Sequence, residues 1–130
     1  MNIDYCLFED EFLDNFHPLT LTRPMYDLRV GFFTLAEKWS HALHEPDGSF
    51  CGPLREHLKG VFPEPELKNN PDGVLWINPR YIPQSSLAEQ VKSLDLMQYL
   101  THDGIMVAAL ADLETHHSWM KKGIRLQNLK

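Results

Sequence analysis

The sequence predicts an α/β fold, because short apolar segments with strand character alternate with amphipathic segments of helical period. A first strand is expected over residues 3–8, and a second, more apolar strand over residues 74–78. A helix over residues 34–44 lies between them in the chain, and another helix begins at Ser86. This alternation favours a sheet layered with helices.

Both predicted helices begin with the sequence pattern of a capping box. In the first, the Thr34 hydroxyl can accept a hydrogen bond from the backbone of Glu37, whose carboxylate can accept one from the backbone of Thr34. Ser86 and Glu89 have the same spacing at the start of the second helix. Each helix also has one apolar face that is expected to pack on the sheet. These faces comprise Leu35, Trp39, Ala42 and Leu43 in the first helix, and Leu87, Val91 and Leu94 in the second.

The last third of the chain predicts a β-hairpin followed by a helix. Residues 97–100 and 105–110 are apolar, and the dipeptide Asp103-Gly104 between them is typical of a tight hairpin turn. The final helix is expected over residues 113–121.

Composition and charge indicate a soluble protein with small-molecule partners. The chain has 130 residues, 43% of them hydrophobic, and a net charge of −6, so we expect one domain over residues 1–130. It has no apolar segment near the roughly 20 residues of a membrane span and no basic signal-peptide start. Its negative charge argues against nucleic acid and anionic membranes as partners. A cytoplasmic location is expected, with Cys6 and Cys51 as ordinary thiols.

Residues 18–31 have the composition of a phosphate-binding loop. The run PLTLTRPMYDLRVG contains two arginines, two threonines, two prolines and a glycine, and arginine binds phosphate through a planar pair of donors. Pro24 restricts Arg23 to extended backbone, which fixes the position of its guanidinium group. Because a capping box uses the free amides of the next helix, a phosphate is assigned to Arg23, Arg29 and the loop amides. Alternatively, Asp27 pairs with one of these arginines and only fixes the loop.

A second candidate region follows the strand at residues 74–78. The dipeptide Asn78-Pro79 predicts a turn that projects Arg80. In open α/β sheets, ligands bind outside the carboxyl ends of the strands, so Asn78 and Arg80 are placed to contact a nucleotide or sugar. The alternative is an ordinary turn asparagine followed by a surface arginine.

Two ordered blocks of the sequence resemble a known family. The blocks are PLTLTRPMYDLRVGFFTLAEKW, and GVLWINPRYIP with the following SSLAEQVKSL and DGIMVAAL. They resemble bacterial sugar nucleotidyltransferases of the alternative type, described as UDP-N-acetylglucosamine diphosphorylases or sugar-1-phosphate nucleotidyltransferases. The resemblance implies the N-terminal portion of a Rossmann-like nucleotide-diphospho-sugar transferase domain, with three layers and a mostly parallel sheet. Members of that family are longer, so a truncated domain is expected.

The resemblance implies that a sugar 1-phosphate attacks the α-phosphorus of UTP or dTTP, which forms a nucleotide sugar and releases pyrophosphate. Such a reaction depends on alignment and charge neutralisation, and Mg²⁺ is expected to bridge the phosphates. The resemblance does not assign ligands for the metal. The expected catalytic residues are Arg23, Arg29 and Lys38, and the expected nucleotide- or sugar-binding residues are Thr22, Gly31, Asn78 and Arg80.

The segment FEDEFLDNF stands where the wider superfamily has a glycine-rich phosphate-binding turn. Its carboxylates are expected to face solvent, to neutralise arginines, or to help hold Mg²⁺. They belong to Glu9, Asp10, Glu11 and Asp14. The alternative function is a non-catalytic module that binds a nucleotide or sugar phosphate, or that serves in assembly. A truncated sheet leaves an edge exposed, so homo-oligomers through that edge are expected.

Overall fold

The fold is that of a mixed α/β protein, described in a computed structural model over residues 3–9, 24–30, 33–43, 55, 58–59, 71–122 and 124. The elements, in chain order, are β1 (Ile3–Leu7), a 3₁₀ helix (Met25–Asp27), β2 (Arg29–Val30), β3 (Phe33–Thr34), α1 (Leu35–Ala42), β4 (Gly73–Ile77), α2 (Ser85–Lys92), β5 (Gln98–His102), β6 (Ile105–Ala111) and α3 (Leu113–Lys122). None of the helices in these ranges is long and apolar enough to cross a membrane. The predicted order of the four main-sheet strands and three α-helices is confirmed, whereas the 3₁₀ helix and the short strands β2 and β3 were not predicted.

The main sheet has four strands in the order β1-β4-β6-β5, and it is mixed. β1 and β4 are parallel, whereas β4 pairs antiparallel with β6, and β6 with β5. The expected predominance of parallel pairs is therefore not confirmed among the described strands. A physical reason is the predicted hairpin turn, in which Asp103 and Gly104 have φ angles of 51° and 78°. A two-residue turn with positive φ joins neighbouring strands only in antiparallel fashion.

The starts of the first two helices differ. At α1 the predicted capping box is present, since the Thr34 N–H donates to Glu37 Oε1 and the Glu37 N–H donates to Thr34 Oγ1, both at 3.1 Å. At α2 the predicted capping box is wrong. The residue that precedes the helix is Gln84, which has extended backbone with φ −87° and ψ 161°. The Gln84 side chain forms no capping hydrogen bond. Ser86 therefore lies inside the first turn and not before it.

Helices cover both faces of the main sheet. On the first face, Trp39 of α1, Leu43 directly after it, and Ala88 and Val91 of α2 are buried against side chains of β1, β4 and β6. On the second face, Trp119 of α3 packs in a separate cluster with other strand side chains. Successive strand residues point to opposite faces, which is why one sheet supplies both clusters. The first face places two helices next to the carboxyl ends of the parallel strands β1 and β4.

Candidate functional site

Glu9, two residues after the carboxyl end of β1, connects two segments that are distant in the sequence. Its Oε1 accepts a hydrogen bond from Arg55 Nε at 3.1 Å, and its Oε2 accepts one from Arg55 Nη2 at 3.3 Å. The same Oε2 accepts a hydrogen bond from the Met25 N–H at 2.9 Å, and the carboxylate side chain is only 11% exposed. For Glu9 the structure therefore supports neutralisation of an arginine. Asp10, Glu11 and Asp14 lie outside the described residues.

The second half of the predicted phosphate loop is packed into the protein. Met25 is fully buried and clusters with Leu28 and Leu35. The Asp27 N–H donates to the Pro24 carbonyl at 3.0 Å, and the Leu35 N–H donates to the Leu28 carbonyl at 2.8 Å. These contacts fix the chain on both sides of the 3₁₀ helix and so define where Arg29 begins β2.

Arg29 is exposed on β2, opposite Thr34 of β3. It acts electrostatically on Glu37, whose pKa is held below its ordinary value mainly by the hydrogen bonds with Thr34 and to a lesser degree by the charges of Arg29 and His41. An ionised Glu37 that caps α1 disfavours a second anion at this helix start. The capping box thus disfavours a phosphate at the first turn of α1, and the assignment of a phosphate to the loop stays a prediction.

Asn78 is a fully buried residue at the carboxyl end of β4. Its backbone N–H donates to the Val107 carbonyl at 2.8 Å, and its side-chain Nδ2 donates to the Met106 carbonyl at 3.2 Å. Its Oδ1 accepts a hydrogen bond from the Arg80 N–H at 3.3 Å. These contacts hold the turn against β6. They give Asn78 a structural role, while contact with a ligand stays a prediction.

Arg80 lies in the turn after β4 and is partly exposed. Its guanidinium carbon lies 5.4 Å from the centre of the Tyr81 ring, a distance at which a cation is attracted to an aromatic face. The Tyr81 carbonyl accepts a hydrogen bond from the fully buried indole Nε1 of Trp39 at 3.0 Å. The helix of the first sequence block is therefore bonded directly to the loop of the second.

A cleft of about 540 Å³ lies between α1 and the segment of residues 82–92; we call it the α1–α2 cleft. Lys38 and His41 line it from α1, and Ser85, Glu89 and Lys92 line it from α2. Sequence reasoning identified Lys38 and missed Lys92. A signal for Lys92 was available in the sequence. If two helices pack their apolar faces on the same face of a sheet, polar residues beside those faces can line the space between the helices.

Four of the seven sequence-predicted site residues are described, namely Arg29, Lys38, Asn78 and Arg80. Thr22, Arg23 and Gly31 lie outside the described residues, so the convergence of Arg23 with Arg29 stays a prediction. Within the described part of the chain, no group of three or more His, Cys, Asp or Glu side chains is placed to hold a metal ion.

Comparison with known families supports the resemblance of the two sequence blocks. The family model for sugar nucleotidyl transferases matches residues 5–125, a range that runs from β1 through α3. Comparisons with curated proteins and with solved structures gave no significant match. Since the family match spans nearly the whole sequence, the chain belongs to the sugar nucleotidyl transferase family.

Proposed function

We propose that this protein takes part in the transfer of a nucleotidyl group from UTP or dTTP to a sugar 1-phosphate. The observation that carries the proposal is the family match over residues 5–125. In this reaction an oxygen of the sugar phosphate attacks the α-phosphorus, and the bond from that phosphorus to the departing pyrophosphate breaks. The products are a nucleotide sugar and pyrophosphate. The family gives the reaction class, and the choice of nucleotide is our proposal.

Arg23 and Arg29 are proposed to bind the triphosphate, with Thr22 and the Gly31 amide as further donors. The proposal is supported by the exposure of Arg29 and by the buried 3₁₀ segment that fixes the start of its strand. Lys38 is proposed as an additional cation, because it lines the α1–α2 cleft. Cations that are fixed before the substrate binds stabilise the charge that develops on departing pyrophosphate.

Asn78 and Arg80 are proposed to position the nucleoside or the sugar. Their place after the carboxyl end of β4 supports this, since ligands of α/β sheets bind at that edge. The hydrogen bonds of Asn78 to β6 and to the Arg80 backbone favour a division of roles. In this division Asn78 holds the turn, and Arg80 contacts the ligand.

Mg²⁺ is proposed to enter with the triphosphate. Such ions are typically bound by substrate phosphates together with one or two carboxylates. Glu9 fits this role poorly, because both of its carboxylate oxygens accept hydrogen bonds from Arg55 or Met25. The phosphates would therefore supply most of the ligands. Removal of divalent cations with EDTA is expected to abolish turnover, and excess Mg²⁺ is expected to restore it.

The direct test measures pyrophosphate release from UTP or dTTP with a set of sugar 1-phosphates and Mg²⁺. The Arg29→Gln variant is expected to lower kcat/KM about a hundredfold, the effect of removing one fixed donor to developing charge. Lys121→Gln on α3 is a matched control, since Lys121 is exposed and lies on the helix that covers the second face. If nucleotide binds but no pyrophosphate is released, the non-catalytic binding module becomes the better proposal.

Self-association is proposed through an edge of the main sheet. β1 and β5 are the outermost strands of the described sheet, and an outermost strand carries backbone groups that can pair with another chain. Light scattering at increasing concentration tests this, and a constant monomer mass would count against it. The cytoplasmic location and the lack of nucleic-acid and membrane partners stay predictions.

A further inference from the structure

Two neighbouring cavities on the first face of the sheet have different chemistry. The α1–α2 cleft of about 540 Å³ is lined by polar and charged side chains together with apolar ones. The second cavity, of about 290 Å³, is lined mainly by apolar side chains, including Leu43 after α1, Leu94 after α2 and Leu75 of β4. We call it the apolar cavity. Lys92 lines both, so its side chain lies at the boundary between the two spaces.

The α1–α2 cleft has an excess of positive side chains. Lys38 and Lys92 line it from different helices, against the single carboxylate of Glu89. Among the described residues, neither lysine forms an ion pair with a carboxylate. The protein as a whole has a net charge of −6, so this local excess is not a property of the general surface. A concave site with positive walls attracts anions more strongly than an open surface does.

Exposed apolar side chains border the same cleft. Phe33 is 41% exposed and Ile82 is 49% exposed, and they are two of the four large hydrophobic side chains that are exposed in the described ranges. Both line the α1–α2 cleft. The Phe33 ring packs edge-on against His41, with 5.0 Å between the ring centres. A ligand that fits here needs apolar surface as well as negative charge.

Lys92 is suited to the boundary between the two cavities. A lysine side chain has an apolar methylene stem, which can lie along hydrophobic surface, and an ammonium group, which needs a polar partner. One ligand can satisfy both parts only if it carries an anionic group and an apolar group next to each other.

We propose that this surface binds a small amphiphilic anion, with a phosphate or similar head group between Lys38 and Lys92 and an alkyl or aryl tail in the apolar cavity. The base of a nucleotide fits the apolar cavity less well than an alkyl or aryl tail, because its polar ring atoms would lose hydrogen bonds to water among mostly aliphatic side chains. The proposal goes beyond nucleotidyl transfer. It shares Lys38 with the proposed triphosphate site, whereas Lys92 and the apolar cavity belong to this proposal alone.

The test uses octyl phosphate, below its micelle concentration, with inorganic phosphate and 1-octanol as separate ligands. Isothermal titration calorimetry is expected to show that octyl phosphate binds at least tenfold more tightly than either part. Lys92→Gln is expected to weaken octyl phosphate binding about tenfold, as for one lost charge-assisted contact, and to leave octanol binding unchanged. Lys121→Gln on α3 is the matched control and should leave all three affinities unchanged.

A second variant tests the apolar half. Leu94 is partly buried and lines the apolar cavity, so Leu94→Trp should fill that space and weaken octyl phosphate binding about tenfold without changing inorganic phosphate binding. Amide chemical shifts from ¹⁵N NMR should move around Lys92 and Leu94 but not around α3. Equal affinity of the Lys92→Gln variant and the wild type overturns the proposal. Binding only to vesicles of anionic lipid also overturns it.

Discussion

The two faces of the main sheet are covered in different ways. On the first face, α1 and α2 lie over mainly aliphatic side chains. The α1–α2 cleft is lined by both helices, and the apolar cavity is lined by α2, by strand residues and by residues that directly follow the two helices. On the second face, α3 packs through an aromatic cluster in which the Trp76 ring centre lies 5.4 Å from that of Trp119 and 5.5 Å from that of His116. The comparison suggests that the first face provides ligand space and the second mainly provides stability.

The second face also contains a buried hydrogen bond that defines the protonation state of His116. The Trp76 indole Nε1 donates to His116 Nδ1 at 3.0 Å, so His116 must be neutral with its proton on Nε2. Burial lowers the pKa of His116, the nearby His117 lowers it further, and buried Asp4 partly opposes the shift. The stability of this face is therefore expected to depend on pH.

The largest expected effect comes from Trp76→Ala. Trp76 is almost completely buried between the strands and α3, so its removal should cost about 3–5 kcal/mol in the free energy of unfolding. Urea denaturation followed by circular dichroism measures this loss. The octyl phosphate affinity of the molecules that stay folded should be unchanged. A loss of that affinity would show that the two faces are coupled.

Acid should weaken the second face. The unfolded chain binds a proton at His116 near pH 6.5, whereas the folded chain binds it only at lower pH, so stability falls as pH drops through and below this value. The slope for this one group is at most about 1.4 kcal/mol per pH unit. Urea denaturation between pH 7.5 and 5 checks it, and His116→Gln should flatten the curve. Substitution of the exposed His102 by Gln is the control and should not remove this slope.

Glu9→Gln should have an intermediate effect at the carboxyl end of β1. The change removes the ion pair with Arg55 and weakens the hydrogen bond from Met25, which should cost about 1–3 kcal/mol. Because Glu9 fixes the segment that leads to Arg29, nucleotide affinity should also fall. Calorimetric titration with UTP measures the affinity, with Glu114→Gln, an exposed carboxylate on α3, as the control. Unchanged stability would mean that this anchor contributes little.

The smallest expected effects on the free energy of unfolding come from substitutions at the starts of α1 and α2, and these effects should differ. Thr34→Ala removes a complete capping box and should cost about 1 kcal/mol. Ser86→Ala should change the free energy of unfolding by less than about 0.5 kcal/mol, because Ser86 is exposed and lies inside α2. Thermal or urea denaturation of the two variants, measured together, gives the difference. Equal losses would contradict the observed start of α2.

Local sequence patterns predicted the main strands and helices well, but they did not predict contacts between residues that are distant in the sequence. The α1 cap and the Asp103-Gly104 turn each depend on residues within a few positions of one another, so their chemistry is readable from the sequence. The antiparallel pairing of β4 with β6 and the bond between Glu9 and Arg55, 46 positions apart, depend on how the whole chain folds. The spacing of residues within one helix, strand or turn does not predict such contacts.

The candidate site was predictable to a similar extent. The turn at Asn78 was predictable from an Asn-Pro pair at a strand end, while the role of Arg80 stays a prediction. Lys92 was missed, because only the packing of two helices side by side brings it to the same cleft as Lys38. Polar residues on helix flanks look alike in a sequence, and tertiary structure decides which of them face a shared space.

The bond from the Trp39 indole to the Tyr81 carbonyl has a consequence for recombination among relatives. The bond joins residues 3–43 to residues 71–122, and a chimeric gene could take these two parts from different parents. A hybrid that takes residues 3–43 from one parent and residues 71–122 from another must inherit both the donor ring and a loop that presents its carbonyl to it. Exchange of fragments between relatives to change specificity should therefore succeed mainly when both parts come from the same parent.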